Sequence, residues 1–286
     1  MVKFSIIIPT YNSAWCIKRC IDSVISQTYG NWEMIIINNF STDDTEKIVS
    51  GYNDERIRLI NNANNGIIAN SRNKGIKISK GEWICFLDSD DWWISTKLED
   101  CLPFTSDYDM IYHDLYLYKN NRLTLRKKKK FHFKEISIDD ILLNENPIAN
   151  SSVLVRKKVI DSVGVLSENP RLVTVEDLDY WIRVFKFTKK IKYIDIPLGY
   201  YWIGNNTSSN IKHAFAERAL LAKYISELKS SKRNIARSFL SYKMARIFHQ
   251  NSQFKKAIYY YGGAFHCGYN FKTFILLILA LIHLKK

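Results

Sequence analysis

The sequence predicts an α/β fold: a mainly parallel sheet flanked by helices, followed by a C-terminal helical extension. Three observations predict it. Over the first hundred residues, short apolar runs alternate with segments of helical period. Polar loops rich in Asn, Asp, Ser and Thr sit where several of those runs end. From Ala214 the pattern is helical to about His266. Strands alternating with helices imply βαβ units and a parallel sheet. Such sheets take ligands at the carboxyl ends of their strands.

The elements follow in order. Residues 4–8 form an apolar strand stopped by Pro9. Within 15–27, Cys16, Ile17, Cys20, Ile21, Val24 and Ile25 recur at the spacing of one helix face. Residues 32–37 read as the second strand, 43–52 as a short helix and 57–60 as the third strand. A helix over 69–79 and a strand over 82–87 complete the first half. Strands are expected at 110–118, 150–155 and 192–196, a basic loop at 126–130 and a helix at 178–187. Ser230-Ser231 and Asn251-Ser252 break the final helical stretch. One domain is expected over 1–205 and a helical region over 206–286.

Bulk properties narrow the class. The chain has 286 residues, 47% hydrophobic and 14% aromatic, enough for a sizeable core and against global disorder. A net charge of +14 favours anionic partners. Five cysteines at irregular spacing are no disulfide framework, which favours a reducing cytosol. Cys16 and Cys20 lie one helical turn apart, but no second pair follows to complete a zinc site. Met1-Val2-Lys3 runs straight into the first strand, so no signal peptide is expected. No segment reaches the roughly 18–20 apolar residues of a membrane span. The apolar tail 271–286 either packs on the preceding helices or lies in a membrane interface, held by flanking lysines. The basic loop and the net charge suit anionic lipid. Nucleic acid is not an expected partner, because the lysines do not gather with aromatics and the acidic run below would repel phosphates.

The run Asp88-Ser89-Asp90-Asp91 follows an apolar strand directly. Clustered carboxylates raise one another's pKa unless a cation neutralises them. Hard oxygen ligands suit Mg²⁺ or Mn²⁺, which keep waters and bind substrate phosphates. The other reading is a solvated turn and helix N-cap, since Asp and Ser favour both.

The motifs taken together decide between these. Ser5 to Asn12, Glu33 to Thr45, Asn65-Gly66 with Ala69 to Gly75, Asp88 to Asp91 and Glu176-Asp177 resemble, in order, the family 2 glycosyltransferases, inverting enzymes of GT-A fold. The resemblance covers about residues 3–205. It implies a nucleotide-binding half over 1–100 and an acceptor-binding half over 101–205. Pro9, Thr10, Tyr11, Asn39, Arg72 and Asp88 would bind the nucleotide sugar. Asp90, with Asp88, would hold Mn²⁺ or Mg²⁺. Asp177 would be the base that deprotonates the acceptor hydroxyl. Asn150, Ser151 and Glu176 are expected on the acceptor side. The chain departs from the family pattern at Asn39, where an Asp normally reads uracil, at Phe40 in place of Gly, and at Trp202 in place of Arg. The tail and the second loop also resemble O-antigen and capsule enzymes. That implies transfer of glucose or galactose, in β linkage, from a UDP-sugar to a GlcNAc- or GalNAc-diphosphoundecaprenol at the cytoplasmic membrane face. The departures motivate two alternatives, another nucleotide sugar and nucleotide-sugar binding without catalysis.

Overall fold

A computed structural model describes residues 3–119, 122–127, 138–143, 148–204, 211–266 and 271–284. They divide into two compact units. The first draws on Met1–Lys134, Asn146–Glu168 and Tyr180–Gly204, the second on Glu135–Glu145, Asn169–Asp179 and Asn205–Lys286.

The first unit is built on one sheet. β1 (Phe4–Thr10) lies between β2 (Trp32–Asn38) and β4 (Trp83–Phe86), parallel to both, and β3 (Ile57–Asn61) flanks β2. All seven residues of β1 and of β2 are buried. A parallel strand covered on both faces has no polar side, so it reads as a continuous apolar run. Helices α1 (Ile17–Ile25), α2 (Thr45–Ser50) and α3 (Ile68–Ile78) form the crossovers. α1 turns Ile17, Cys20, Ile21 and Val24 into a core shared with Phe4, Ile6, Trp32, Met34 and Trp83.

Register sets the site. Thr10 pairs with Asn38, and Ile7 with Phe86. The chain therefore leaves β1, β2 and β4 at one edge, carrying residues 9–12, 39–43 and 88–91 there. β8 (Leu154–Arg156) adds antiparallel to β4. The sheet then continues through β6 (Met110–Lys119), β9 (Ile191–Trp202) and the two-residue β5 (Trp92–Trp93), with β7 (Arg122–Lys127) on β6. The remaining helices of this unit are α4 (Lys97–Cys101), α6 (Lys157–Val163) and, from Tyr180 onward, α7 (Glu176–Phe187), whose first residues belong to the second unit.

Three expectations change. The strand expected over 150–155 opens with a 3-10 turn, Asn150–Ser152, in which Ser152 donates both its N–H and its hydroxyl to the Ala149 carbonyl. Small polar side chains offer the backbone such local bonds in competition with a ladder. The loop expected over 126–130 begins in β7, whose Arg-Leu-Thr-Leu alternation suits an edge strand; residues 128–130 lie outside the described residues. The strand expected over 192–196 runs on to Trp202 through Pro197, because the β6–β9 ladder shifts register where Pro197 faces Asp114.

The second unit is helical: α5 (Ile138–Leu143), α8 (Ile211–Tyr224), α9 (Ser230–Gln250), α10 (Phe254–His266) and α11 (Phe271–Leu284). Met244, Phe248, Ala257, Tyr261 and Ala280 form its main core. The breaks expected near 230 and 251 fall where α9 begins and ends.

Candidate active site

The acidic run forms a tight turn off β4. The Asp91 N–H donates to the Asp88 carbonyl at 3.0 Å. Each carboxylate then meets different surroundings. Asp88 accepts from Arg72 Nη2 at 2.7 Å, and that guanidinium is buried. Asn150 lies against the same pair. With its carboxamide oxygen turned to Arg72, it accepts from Nε at 3.1 Å and Nη2 at 3.2 Å. This orientation suits a guanidinium, which only donates.

Asp90 is partly exposed. Burial first, then the neighbouring Asp88 charge, push its carboxyl up to about 6. Asp91 is 1% exposed. Burial and the two adjacent acids push it well above the carboxylate range. It is held by the Ser151 hydroxyl at 2.5 Å and by the Trp202 N–H at 2.8 Å. Ser151 also accepts the Asp88 N–H at 3.1 Å, so one serine braces both ends of the turn. Its carbonyl in turn accepts from Trp93 Nε1 and from Lys97 Nζ.

Around this turn lie the loops of β1 and β2. Thr10 is buried and its hydroxyl has no partner among the described residues. Tyr11 stands 56% exposed beside it, with a ring face available for stacking. The Asn39 N–H donates to the Thr10 carbonyl, while its side-chain oxygen accepts the Asn64 N–H at 2.9 Å. Asn38 points inward and holds Ser41 and Asn61. Phe40 has φ +53°, the left-handed backbone that glycine adopts without strain. Ser13 ties the β1 loop to Thr45, and its hydroxyl lies 3.0 Å from that of Ser89.

A divalent cation fits this donor set. Asp90 and Asp88 supply hard oxygens in one turn, and burial and the Asp88 charge raise the Asp90 carboxyl beyond what Arg19 offsets. Among the described residues no group of three or more His, Cys, Asp or Glu forms a closed cage. Such a site needs oxygens from a bound phosphate and from water to complete the shell.

The acids of α7 separate by environment. Asp179 is fully buried and accepts from Lys223 Nζ at 2.5 Å and from the Tyr224 hydroxyl at 2.8 Å. Glu176 is buried and accepts the Thr174 N–H at 2.7 Å, bracing a turn in which Thr174 has φ +84°. Asp177 is the partly exposed one. It sits at the helix start, where its Oδ1 accepts the Leu178 N–H at 2.7 Å.

The three residues expected on the acceptor side each have partners within the fold. Ser151 and Asn150 lie buried beneath the acidic turn, and Glu176 braces its own loop. Sequence reasoning missed Arg19, which donates to the Asp90 carbonyl at 2.9 Å and stacks 3.6 Å from the Trp92 ring centroid. Its partner is a backbone carbonyl, so no residue pattern signals it. The pairing of exposed Trp15 with Trp202, ring centroids 4.6 Å apart, was equally hidden.

Comparison with known proteins follows the same line. The model of Glycosyl transferase family 2 matches residues 5–164. Over 225 residues the chain is 32% identical to the UDP-Glc:alpha-D-GlcNAc-diphosphoundecaprenol beta-1,3-glucosyltransferase WfaP of Escherichia coli, covering 77% of this chain and 86% of that protein. S. aureus TarS 1-349, solved with UDP-GlcNAc, superposes with a TM-score of 0.61 at 18% identity, over 93% of this chain and 89% of that one. The mannosyltransferase PcManGT of Pyrobaculum calidifontis, solved with GDP-Man and Mn²⁺, gives 0.63 at 13% identity, over 98% and 79%. These two likenesses establish the GT-A fold.

Proposed function

Because the chain belongs to glycosyl transferase family 2, we propose that it is an inverting hexosyltransferase using a UDP-sugar, with UDP-glucose or UDP-galactose as donor. Its acceptor is a polyprenyl-diphosphate-linked sugar, such as GlcNAc- or GalNAc-diphosphoundecaprenol, at the cytoplasmic membrane surface. The product is a β-linked unit of an O-antigen or capsular polysaccharide. One observation carries the reading: the Asp88–Asp90 turn, braced by Arg72, opens at the sheet edge that also presents Thr10 and Tyr11. The activity named for WfaP supports the choice of donor and acceptor.

Each residue has a task that its setting suits. Pro9, Thr10 and Tyr11 line the nucleotide, with Tyr11 covering the base. Asn39 offers a carbonyl to the base, without the charge assistance of an aspartate. Asp88 and Asp90 hold Mn²⁺ or Mg²⁺, which when bound offsets negative charge on the departing diphosphate. Asp177 takes the proton from the acceptor hydroxyl as that oxygen attacks the anomeric carbon. The bond to the diphosphate breaks with its electron pair leaving on the phosphate oxygen, a single displacement that inverts the centre.

The test uses purified protein with Mn²⁺ or EDTA, a panel of UDP-, GDP- and dTDP-sugars, and a GlcNAc-diphosphate-lipid analogue. Nucleotide release and product mass are read. Metal-dependent transfer of one hexose from a UDP-sugar, lost in D90A and D177N, is expected. A GDP- or dTDP-sugar working instead would favour the second reading, another donor nucleotide. That reading is motivated by Asn39, whose oxygen already accepts the Asn64 N–H. Folded protein that binds UDP but turns over no donor would refute catalysis.

A further inference from the structure

The positive charge of this chain is concentrated. Residues 205–286 hold fourteen of its 42 lysines and arginines but two of its 28 acids, a net +12 within a total of +14. The same stretch exposes apolar surface. α11 sets Leu276, Leu277 and Ala280 into the core built around Phe248 and Tyr261. Ile275, Ile278, Leu279 and Ile282, spaced three, four and seven residues along, form the opposite stripe. Each is 41% to 49% exposed. A helix apolar on every side is normally enclosed on every side; this one is covered on one. On α10, Lys255, Lys256 and Tyr259 share an exposed face.

We infer that the stripe Ile275, Ile278, Leu279 and Ile282 docks on an anionic bilayer surface. The stripe enters the headgroup–acyl boundary and the basic residues of the same unit lie over the headgroups. Charge complementarity selects this occupant. A second copy would set one strongly cationic unit against another, whereas anionic lipid attracts both the lysines and, once held, the apolar stripe. Tyr259 suits the interface, with an apolar ring and a polar tip. No described helix is long and apolar enough to cross a membrane, so the association is with one face. The inference stands on this unit alone and does not depend on the transferase reading.

The experiment is flotation of the full chain with extruded vesicles of phosphatidylcholine alone or with added phosphatidylglycerol, at low and high salt. Binding to the anionic vesicles is expected to exceed that to neutral ones at least about tenfold and to weaken with salt. I278E/L279E should lower anionic binding by about tenfold or more while keeping the far-ultraviolet dichroism and any turnover of a water-soluble acceptor. K255E/K256E should weaken anionic binding and leave neutral binding unchanged. Equal binding to both vesicle types, or anionic binding untouched by either variant, would overturn the inference. So would a stable dimer in light scattering that I278E/L279E dissociates.

Discussion

Lys97 is a lysine with no exposed surface, directly behind the acidic turn. Its ammonium lies 3.3 Å from the Ser151 carbonyl and 3.2 Å from the centre of the Trp93 ring. Burial draws its pKa from the ordinary 10.5 down to about 7. That displacement corresponds to about 5 kcal/mol of penalty on the charged form. The sign follows from proton counts. Below pH 7 both folded and unfolded chains hold the proton. Between pH 7 and 10.5 the unfolded chain keeps it and the folded one has released it, so stability rises with pH. From pH 6 to 8.5 the rise is about 2 kcal/mol. Buried Cys16, Cys85 and Cys101, pushed up to about 12, act in the opposite direction at higher pH. A comparison with K97M cancels them. Methionine fills similar volume, loses one hydrogen bond and one ring contact, and brings no charge. It should be more stable by about 3 kcal/mol at pH 6 and by about 1 kcal/mol at pH 8.5. Guanidinium unfolding at both pH values measures the difference. A stability gap that does not change with pH, or a K97M protein weaker at pH 6, would refute the reasoning.

Other outcomes follow from the same geometry. S151A strips a donor from the buried Asp91 carboxylate and should cost about 1–3 kcal/mol. It should also raise the Mn²⁺ concentration needed for half-maximal activity; unfolding and metal dependence both at wild-type values would remove Ser151 from its bracing role. R72K replaces a fork that reaches both Asp88 and Asn150 with a single ammonium, and UDP should bind about tenfold more weakly by calorimetry. An unchanged Kd would dissociate Arg72 from the nucleotide. D179N should melt earlier, because Lys223 and Tyr224 lose a charged partner, whereas D177N should lose turnover at an unchanged melting temperature. If D177N melts early and D179N does not, the roles of the two acids are reversed.

Much of this was written locally and part of it was not. β1, β2 and β4 are apolar runs because both their faces are covered, and runs of that kind are readable from one stretch of chain. The acidic turn was equally readable, since its three carboxylates adjoin in sequence. What holds the turn was not. Ser151 reaches Asp91 across 60 residues and the Trp202 N–H reaches it across 111. Pairings of that range depend on β8 and β9 taking their places in the sheet. β9 itself was half read, because Pro197 and Gly199 look like breakers. In the fold, Pro197 stands at a register shift, and a side chain on Gly199 would collide with the Trp92 carbonyl at 2.9 Å. Asn150 and Ser151 were singled out for the acceptor side, but nothing in their types tells a serine that meets a ligand from one that braces a carboxylate beneath it.

The long bond from Trp202 to Asp91 also has a bearing on synthesis. As the chain leaves the ribosome, β1, β2 and β4 are all present once residue 86 has emerged, yet the acidic turn still lacks its partners. Ser151 comes some sixty residues later and the Trp202 amide later again. Until then the three carboxylates adjoin one another with the guanidinium groups of Arg72, on Asp88, and Arg19, on the Asp90 carbonyl, beside them. The cationic helices of 211–284 follow after that amide. Vectorial synthesis therefore delivers both of these long-range partners of the acidic turn before the cationic helices of 211–284 emerge.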